Sequence, residues 1–418
     1  MVPEGWEKKY LKDILSEPIR NGFSPVASDK ETGFWVLGLG SLGDEEFNIT
    51  EIKPVEPTDR VLQSQLRYGD FLVSRSNTPD KVGRSVYFQG EVENCSYPDL
   101  MMKFRVDENK VNPIFIEQKL KSFEVRSYFK NCAAGSSSTM VKINKGILEK
   151  TPLLLPNIKE QKKIAQILST WDKAIAATEK LLANSQQQKK ALQQQLLYGK
   201  KRLLDKNGIR FSSEWKTCRL GDIGEIKSAG VDKKIVEGET SVRLLNFIDV
   251  FKKTFIFSNE INHWVTAPYS KVDGCSVLKG DVFFTPSSET RDEVGMSAVV
   301  ADEIDRCCYS YHIVRFRIKE NWDLNFKAFA FSTPAFRKQV SLLADGSGQR
   351  YVVSQDGFRS VIISFPPIEE QREIGKVLRL AEEETIILDK KLNHLKQEKK
   401  ALMQQLLTGK RRVKTEVT

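Results

Sequence analysis

The stretch KKALQQQLLYGKKRL, from Lys189 to Leu203, returns 210 residues later as KKALMQQLLTGKRRV, with eleven of fifteen positions unchanged. An internal repeat constrains a fold more than composition does, because whatever one copy forms the other must form too. The repeat reaches far beyond these fifteen residues. PNIKEQKKIAQIL (156–168) matches PPIEEQREIGKVL (366–378), and GWEKKYLKDI (5–14) resembles EWKTCRLGDI (214–223). YGDFLVSRSN (68–77) resembles KGDVFFTPSS (279–288), VGRSVYF (82–88) resembles VGMSAVV (294–300), and CSYPDLMMKFRV (95–106) resembles CCYSYHIVRFRI (307–318). AAGSSSTMVKINKG (133–146) resembles ADGSGQRYVVSQDG (344–357). The 418 residues therefore read as A–B–A′–B′. The B segments are close copies; the A segments share a skeleton of Gly, Asp and apolar positions while the polar residues between them change.

Each B segment opens after a proline, Pro156 or Pro366, where helices commonly begin. Apolar residues then recur at alternating spacings of four and three. In the first copy they are Ile164, Leu168, Trp171, Ile175, Leu182, Leu192 and Leu196, with Thr178, Ser185 and Lys189 at the same phase. In the second they are Ile374, Leu378, Leu388, Leu392, Leu395, Leu402 and Leu406, with Ala381, Thr385 and Lys399. This heptad spacing predicts a coiled-coil seam. Gly199 and Gly409 follow the last leucines, where a left-handed C-terminal cap is expected. The cations behind them (Lys200, Lys201, Arg202; Lys410, Arg411, Arg412) suit a helix C-terminal dipole. A helix of this size is a rod of roughly 60 Å, and one apolar seam needs a partner. The other copy, packed antiparallel, is the expected one; pairing between two chains is the alternative.

The A segments alternate short β-like runs with turn clusters: FWVLGLG, DFLVSRS, RSVYFQG and MMKFRV in the first, VRLLNFIDV, DVFFTPS, MSAVVAD and HIVRFRI in the second. Helical stretches follow at 112–129 and 325–343. The whole reads as α+β, two mixed globular domains separated by two long antiparallel helices, with an internal pseudo-two-fold repeat. The boundaries fall at 1–150, 151–205, 206–360 and 361–418. Polar loops follow the Gly-Asp strands at 74–85 and 285–297, and others close the A segments at 135–139 and 346–350. Their Ser, Thr, Asn, Gln and Arg side chains hydrogen-bond base edges and phosphates well. The candidate contacts are Ser74, Arg75, Asn77, Lys81, Arg84, Ser136, Ser137 and Ser138 in the first domain, and Thr285, Ser287, Arg291, Gln349 and Arg350 in the second. Ordinary turns share this composition; matching places with different contents favour recognition.

Chemistry of the chain's own is not expected. GLGSLG (38–43) has the spacing of a dinucleotide-binding turn, but Asp44, Glu45 and Glu46 follow where a phosphate would sit. Asp99, Glu108 and Lys110 resemble a nuclease pattern, yet the second half has Tyr311, Glu320 and Trp322 there. Six scattered cysteines and three scattered histidines offer no metal-ligand spacing. Sixty-five Lys and Arg against 55 Asp and Glu give a net charge of +10, compatible with a polyanion partner. No apolar run spans a membrane and no signal-peptide pattern opens the chain, so a cytoplasmic location is expected.

The paired PxIxEQxxI segments (Pro156, Ile158, Glu160, Gln161, Ile164; Pro366 or Pro367, Ile368, Glu370, Gln371, Ile374), the KKAL-x-QQLL-x-G-K elements and the Gly-Asp strands (Gly69, Asp70; Gly280, Asp281) carry a resemblance over essentially the whole chain. It resembles the specificity subunit of a type I restriction–modification enzyme. That resemblance implies two target-recognition domains that each read half of a bipartite, asymmetric double-stranded DNA site, with the helices setting the unread gap. It implies a chain with no catalytic residues and no cofactor of its own. Its partners would be two modification subunits, which use S-adenosylmethionine to methylate adenine, and two restriction subunits, which use ATP and Mg²⁺. Service to a fused type IIB methyltransferase–nuclease is the near alternative; an autonomous nuclease and a structural coiled-coil scaffold are the distant ones.

Overall fold

A computed structural model describes residues 2–43, 47–137, 140–348 and 350–414; at Ser136 and Ser137 it describes the backbone alone. The chain divides into two compact units. One is built from residues up to Glu179 together with the segment from Lys391, the other from Lys180–Lys390.

In the first unit a four-stranded sheet runs in the order Arg20–Asn21, Met101–Phe104, Phe71–Ser74, Ser85–Tyr87, all antiparallel. Beside it lies a three-stranded sheet, Ile52–Pro54, Trp35–Leu37, Cys95–Ser96, whose last pair is parallel. A third, Ala134–Ser137, Met140–Lys142, Ser76–Asn77, joins a hairpin to the main-sheet loop, and Glu7–Tyr10 pairs with Pro152–Leu155. The second unit repeats every one of these pairings. Gly224–Lys227, Val314–Ile318, Val282–Phe284 and Ser297–Val300 form the main sheet, extended by Phe255–Ile256. Trp264–Ala267, Thr240–Leu245 and Cys307–Tyr309 form the second sheet. Ser287–Ser288, Arg350–Val352 and Asp345–Ser347 form the third, and Lys216–Arg219 pairs with Ile362–Phe365. The strand-like runs in both A segments are thus strands.

The skeleton shared by the two A segments has a structural cause. Gly69 and Gly280 take φ of +93° and +85°, a turn that favours glycine. The aspartate that follows is buried and ion-paired to the neighbouring strand. Asp70 receives Arg105 Nε at 2.6 Å and Lys103 Nζ at 3.1 Å; Asp281 receives Arg317 Nε and Nη2 at 2.7 Å each. Gly83 and Gly295 close the next loop with positive φ. A Cβ on either would sit 2.5 Å from Phe129 or Val340, so the loop lies directly on a helix.

The stretches 112–129 and 325–343 are each two helices rather than one. In the first, Pro113–Lys121 and Phe123–Cys132 are separated by Ser122, extended at φ −64°, ψ 151°. In the second, Leu324–Ala330 gives way to Pro334–Leu343, with Thr333 as N-cap and Pro334 in the first turn, where a missing N–H costs nothing.

The long helices are Ile158–Leu196 and Ile368–Leu406, of 39 residues each. Within the first unit Asp172 meets Lys399 at 2.7 Å and Glu179 meets Lys396 at 2.6 Å. Within the second, Lys189 meets Glu382 at 2.6 Å and the Ser185 and Thr385 hydroxyls lie 3.2 Å apart. Rising numbers on one helix meet falling numbers on the other, so the pairing is antiparallel and inside the chain. Ile164, Leu168, Ile175, Leu196, Ile374, Leu378, Leu392 and Leu406 are buried, while Trp171, Leu182, Leu192, Leu388, Leu395 and Leu402 are half-buried. Leu406 joins Ile164 and Leu168 in the first unit's core, and Leu196 joins Ile374 and Leu378 in the second's. In each unit the helix pair is therefore continuous with that unit's own core.

Gly199 and Gly409 have φ of +64° and +71° and end the helices as left-handed caps. The arginines beyond them do more than face a dipole. Arg412 grips buried Glu160 with Nε and Nη2, both at 2.8 Å, and Arg202 grips buried Glu370 with both contacts at 2.6 Å. The adjacent glutamines complete the joint. Gln161 donates to the Pro156 carbonyl at 2.8 Å and accepts the Asn112 N–H at 2.9 Å; Gln371 donates to Pro366 at 2.8 Å and accepts from Asp323 N–H at 3.1 Å. The repeated Glu-Gln pair is a structural joint.

Glu160 is buried while Arg412 is partly exposed. Arg412→Ala is expected to lower stability by about 2 kcal/mol, the cost of leaving a buried acceptor without its hydrogen-bond donor. The double variant Arg412→Ala/Glu160→Gln should recover part of that loss; urea denaturation of the full chain measures both.

Candidate nucleic-acid interface

Two polar loops of the first A segment are far apart in sequence but join in one small sheet. Val141 and Lys142 of the hairpin pair with Asn77 and Ser76. In the second unit Val352 and Tyr351 pair with Ser287 and Ser288. The loops nominated from sequence are thus brought together, twice, by the same topology.

The side chains divide by depth. Ser74 and Thr285 are both 0% exposed, which corrects the expectation that they face a ligand. They stand at the ends of main-sheet strands, where the side chain points into the domain. Ser74 Oγ accepts from Asn77 Nδ2 at 3.4 Å, while the Thr285 hydroxyl has no partner among the described residues. Arg75 is half-buried and donates to the Asp99 carbonyl at 3.4 Å. Asn77 is half-buried, its Oδ1 accepting the Thr78 N–H at 2.9 Å. Lys81 is exposed and Arg84 half-buried. Ser136 and Ser137 lie in the strand Ala134–Ser137; Ser138 and Gln349 lie outside the described residues.

In the second unit Ser287, nearly buried, accepts from Arg350 Nη2 at 2.9 Å. That bond orients a guanidinium that is otherwise open to solvent. Arg291 is exposed and stacks over the Tyr351 ring at 4.9 Å. Arg350, Ser287 and Ser288 line a cleft of about 460 Å³ shared with Phe247 and His312. His312 packs against Tyr311 at 4.1 Å between ring centroids. Burial first, and then the charges of Lys233 and Arg350, push its pKa below the usual histidine value. A neutral ring beside an aromatic one and a guanidinium offers stacking and hydrogen bonds at once. The sequence reading missed Tyr311, His312 and Tyr351 because Tyr-His and Tyr-Val-Val look like ordinary strand residues.

The two units differ at an equivalent position beside the ribbon. Where the second unit has Tyr311, the first has Asp99, whose carboxylate accepts from Ser24 Oγ at 2.5 Å. Asp99 sits before the strand Met101–Phe104, and Glu108 and Lys110 lie beyond its other end, so the nuclease-like triplet is not assembled. Among the described residues no group of three or more His, Cys, Asp or Glu could hold a metal ion. In the GLGSLG turn the Gly38 N–H donates to the Glu51 carbonyl at 2.6 Å, and a Cβ on Gly40 would meet the Glu51 side chain at 2.9 Å. Those glycines admit a neighbouring strand, and the side chain nearest them is an acid. The six cysteines are unpaired thiols, and burial pushes Cys95 and Cys307 up to about 12. No helix among the described residues is long and apolar enough to cross a membrane.

Comparison with known proteins agrees with this architecture. A specificity subunit of Methanocaldococcus jannaschii, named for the MjaX type I restriction enzyme, is 25% identical over 99% of this chain and 95% of its own length. The MjaVIII specificity subunit of the same organism is 26% identical over 75% of this chain and 74% of its own. Among solved structures, the S subunit of the type I restriction–modification system of M. genitalium shares the fold with a TM-score of 0.60, at 15% identity over 97% of this chain and 96% of that one. A chain from a structure of type I R-M complex assembly matches with a TM-score of 0.55, at 14% identity over 97% and 98%. The type I restriction modification DNA specificity domain matches twice, over residues 3–185 and 212–397. With two such domains covering most of its length, the chain belongs to that family.

Proposed function

We propose that this chain is the DNA-reading specificity subunit of a type I restriction–modification complex, and that it directs adenine methylation and cleavage carried out by partner subunits. The observation that carries the reading is the twice-built ribbon. One topology brings two polar loops together in each half and fills them with different side chains. The family's domain is by its description a DNA specificity domain, which supports the same reading. Residues 1–150 would read one half-site and 206–360 the other, with 151–205 and 361–418 as the spacer. Because the halves differ in content, the target is bipartite and asymmetric.

The chain acts by positioning. Exposed Arg350 and Lys81 suit base edges or phosphates, and half-buried Arg75 and Asn77 are held by the sheet. Two modification subunits would bring S-adenosylmethionine and flip the adenine out of the stack. Two restriction subunits would bring ATP and Mg²⁺. The work is that of a cytoplasmic protein. The unread gap would be set by the helices, whose 39 residues span roughly 60 Å. A stiff spacer holds register without an ordering cost at each encounter.

Co-expression with the modification subunit, followed by sequencing that detects methyladenine, should reveal a bipartite asymmetric motif with a fixed gap. A continuous palindrome, or no motif, would overturn the proposal. Exchanging residues 1–150 for those of another family member should change one half of the motif and leave the other intact. Arg350→Ala should lower affinity for the target by about tenfold and relax only the second half-site; a salt titration of binding separates loss of a base contact from loss of a phosphate contact.

A further inference from the structure

The polar loop that leaves the main sheet is tied down on both of its arms. In the first unit the rising arm, Ser76–Asn77, is a strand of the ribbon. The falling arm, from Asp80 to Gly83, lies on the helix Phe123–Cys132. Arg126 of that helix donates from Nη1 to the Val82 carbonyl at 2.6 Å and from Nη2 to the Asp80 carbonyl at 2.8 Å. Lys130 of the same helix pairs with the Asp80 carboxylate at 2.8 Å. Exposed Lys81 stands in the chain between the two carbonyls that Arg126 holds.

The second unit repeats the tie at equivalent places. Ser287–Ser288 belongs to the ribbon, and Arg337 Nη2 donates to the Asp292 carbonyl. Asp292 follows Asp80 by 212 residues, as Gly295 follows Gly83. Glu293, next in the chain, pairs with Lys252 at 2.7 Å. Exposed Arg291, stacked over Tyr351 of the ribbon, directly precedes the held residue.

The two gripping arginines occupy the same place, fourth in FEVRSYFKNC and fourth in PAFRKQVSLL. No other position of these ten-residue helices carries the same residue in both units. Both side chains are half-buried. What they bond is main-chain carbonyl, an acceptor that every loop sequence supplies. A grip of that kind fixes the course of the loop and leaves its side chains free to differ between the units. A loop already fixed when DNA arrives loses less conformational freedom on binding, and hydrogen bonds to base edges tolerate little displacement.

We propose that Arg126 and Arg337 are positioning residues for DNA reading, each holding the loop of its own unit in the course that sets its side chains on one half-site. The proposal rests on the DNA-reading function proposed above and goes further, because it assigns a role to residues that need not touch DNA.

The test uses the complex of the full chain with its modification subunit, the methylated duplex, and duplexes with single-base changes through both half-sites. The readout is the ratio of methylation kcat/KM between the intact and the changed duplexes. Arg126→Gln is expected to lower discrimination in one half-site by about tenfold and to leave the other as it was. Arg337→Gln should do the same in the opposite half-site. Arg126→Lys keeps the charge but cannot fork across two carbonyls, so it should behave as the glutamine variant does. If Arg126→Gln is unstable, Arg337→Gln, which removes one loop bond rather than two, carries the test. Unchanged discrimination in these variants overturns the proposal while the wild-type motif leaves the DNA-reading function standing; no motif with the wild-type chain overturns both. A weakening that is uniform over all sequences and spared by lysine marks a phosphate contact instead, and also overturns the proposal.

Discussion

The grip of an arginine on a buried glutamate holds the architecture together. Glu160 and Glu370 stand in the first turns of the long helices, and Arg412 and Arg202 come just after the glycine that ends the opposite helix. Each pair is bidentate, the strongest and most directional form of charge-assisted bond. Its partners also satisfy the chain around them. Arg412 donates to the Glu4 carbonyl at 2.5 Å and Arg202 to the Ser213 carbonyl at 2.8 Å, so each arginine ties a helix start, a helix end and the segment just before the strand Glu7–Tyr10 or Lys216–Arg219. A hydrophobic contact of equal energy would allow sliding; the bidentate pair allows one register. The polar layers along the seam, Ser185 with Thr385 and Lys189 with Glu382, have the same consequence. They give up some burial and select one alignment among several that leucines alone would tolerate.

Much of this was legible in the sequence because a repeat supplies its own control. A residue pattern found once is weak; found twice at one offset it marks what the fold requires. The long helices, their glycine caps and the Gly-Asp turns could be read in that way. The roles of Glu160, Gln161 and Arg412 could not. Their partners lie as much as 252 residues away, and side-chain pairing at that distance leaves no periodic trace. The break between Lys121 and Phe123 was hidden for a different reason. Serine is compatible with a helix interior, and its extended conformation is imposed by packing rather than by propensity.

The candidate interface was half legible. The sequence indicated which loops vary, and the topology explains why those loops act together: each contributes a strand to one ribbon. Depth was the part that could not be read. Ser74 and Ser287 look equivalent as loop serines, yet one lies inside the domain and the other orients an arginine at the surface. Strand alternation assigns one face only when the strand's ends are known, and here both strands end within a residue or two of the loop.

The division of the chain into units has a consequence for its synthesis. The second unit is one continuous stretch, Lys180–Lys390, whereas the first needs its opening 179 residues and the segment from Lys391 onward. Domains fold as units while the chain emerges, generally from the N-terminus. Here the order is inverted at the finish. The domain translated first keeps an uncovered core face, around Ile164 and Leu168, until Leu406 and Leu407 arrive to close it and Arg412 locks the joint. Throughout that interval the nascent protein exposes apolar surface that Leu406 and Leu407 later cover.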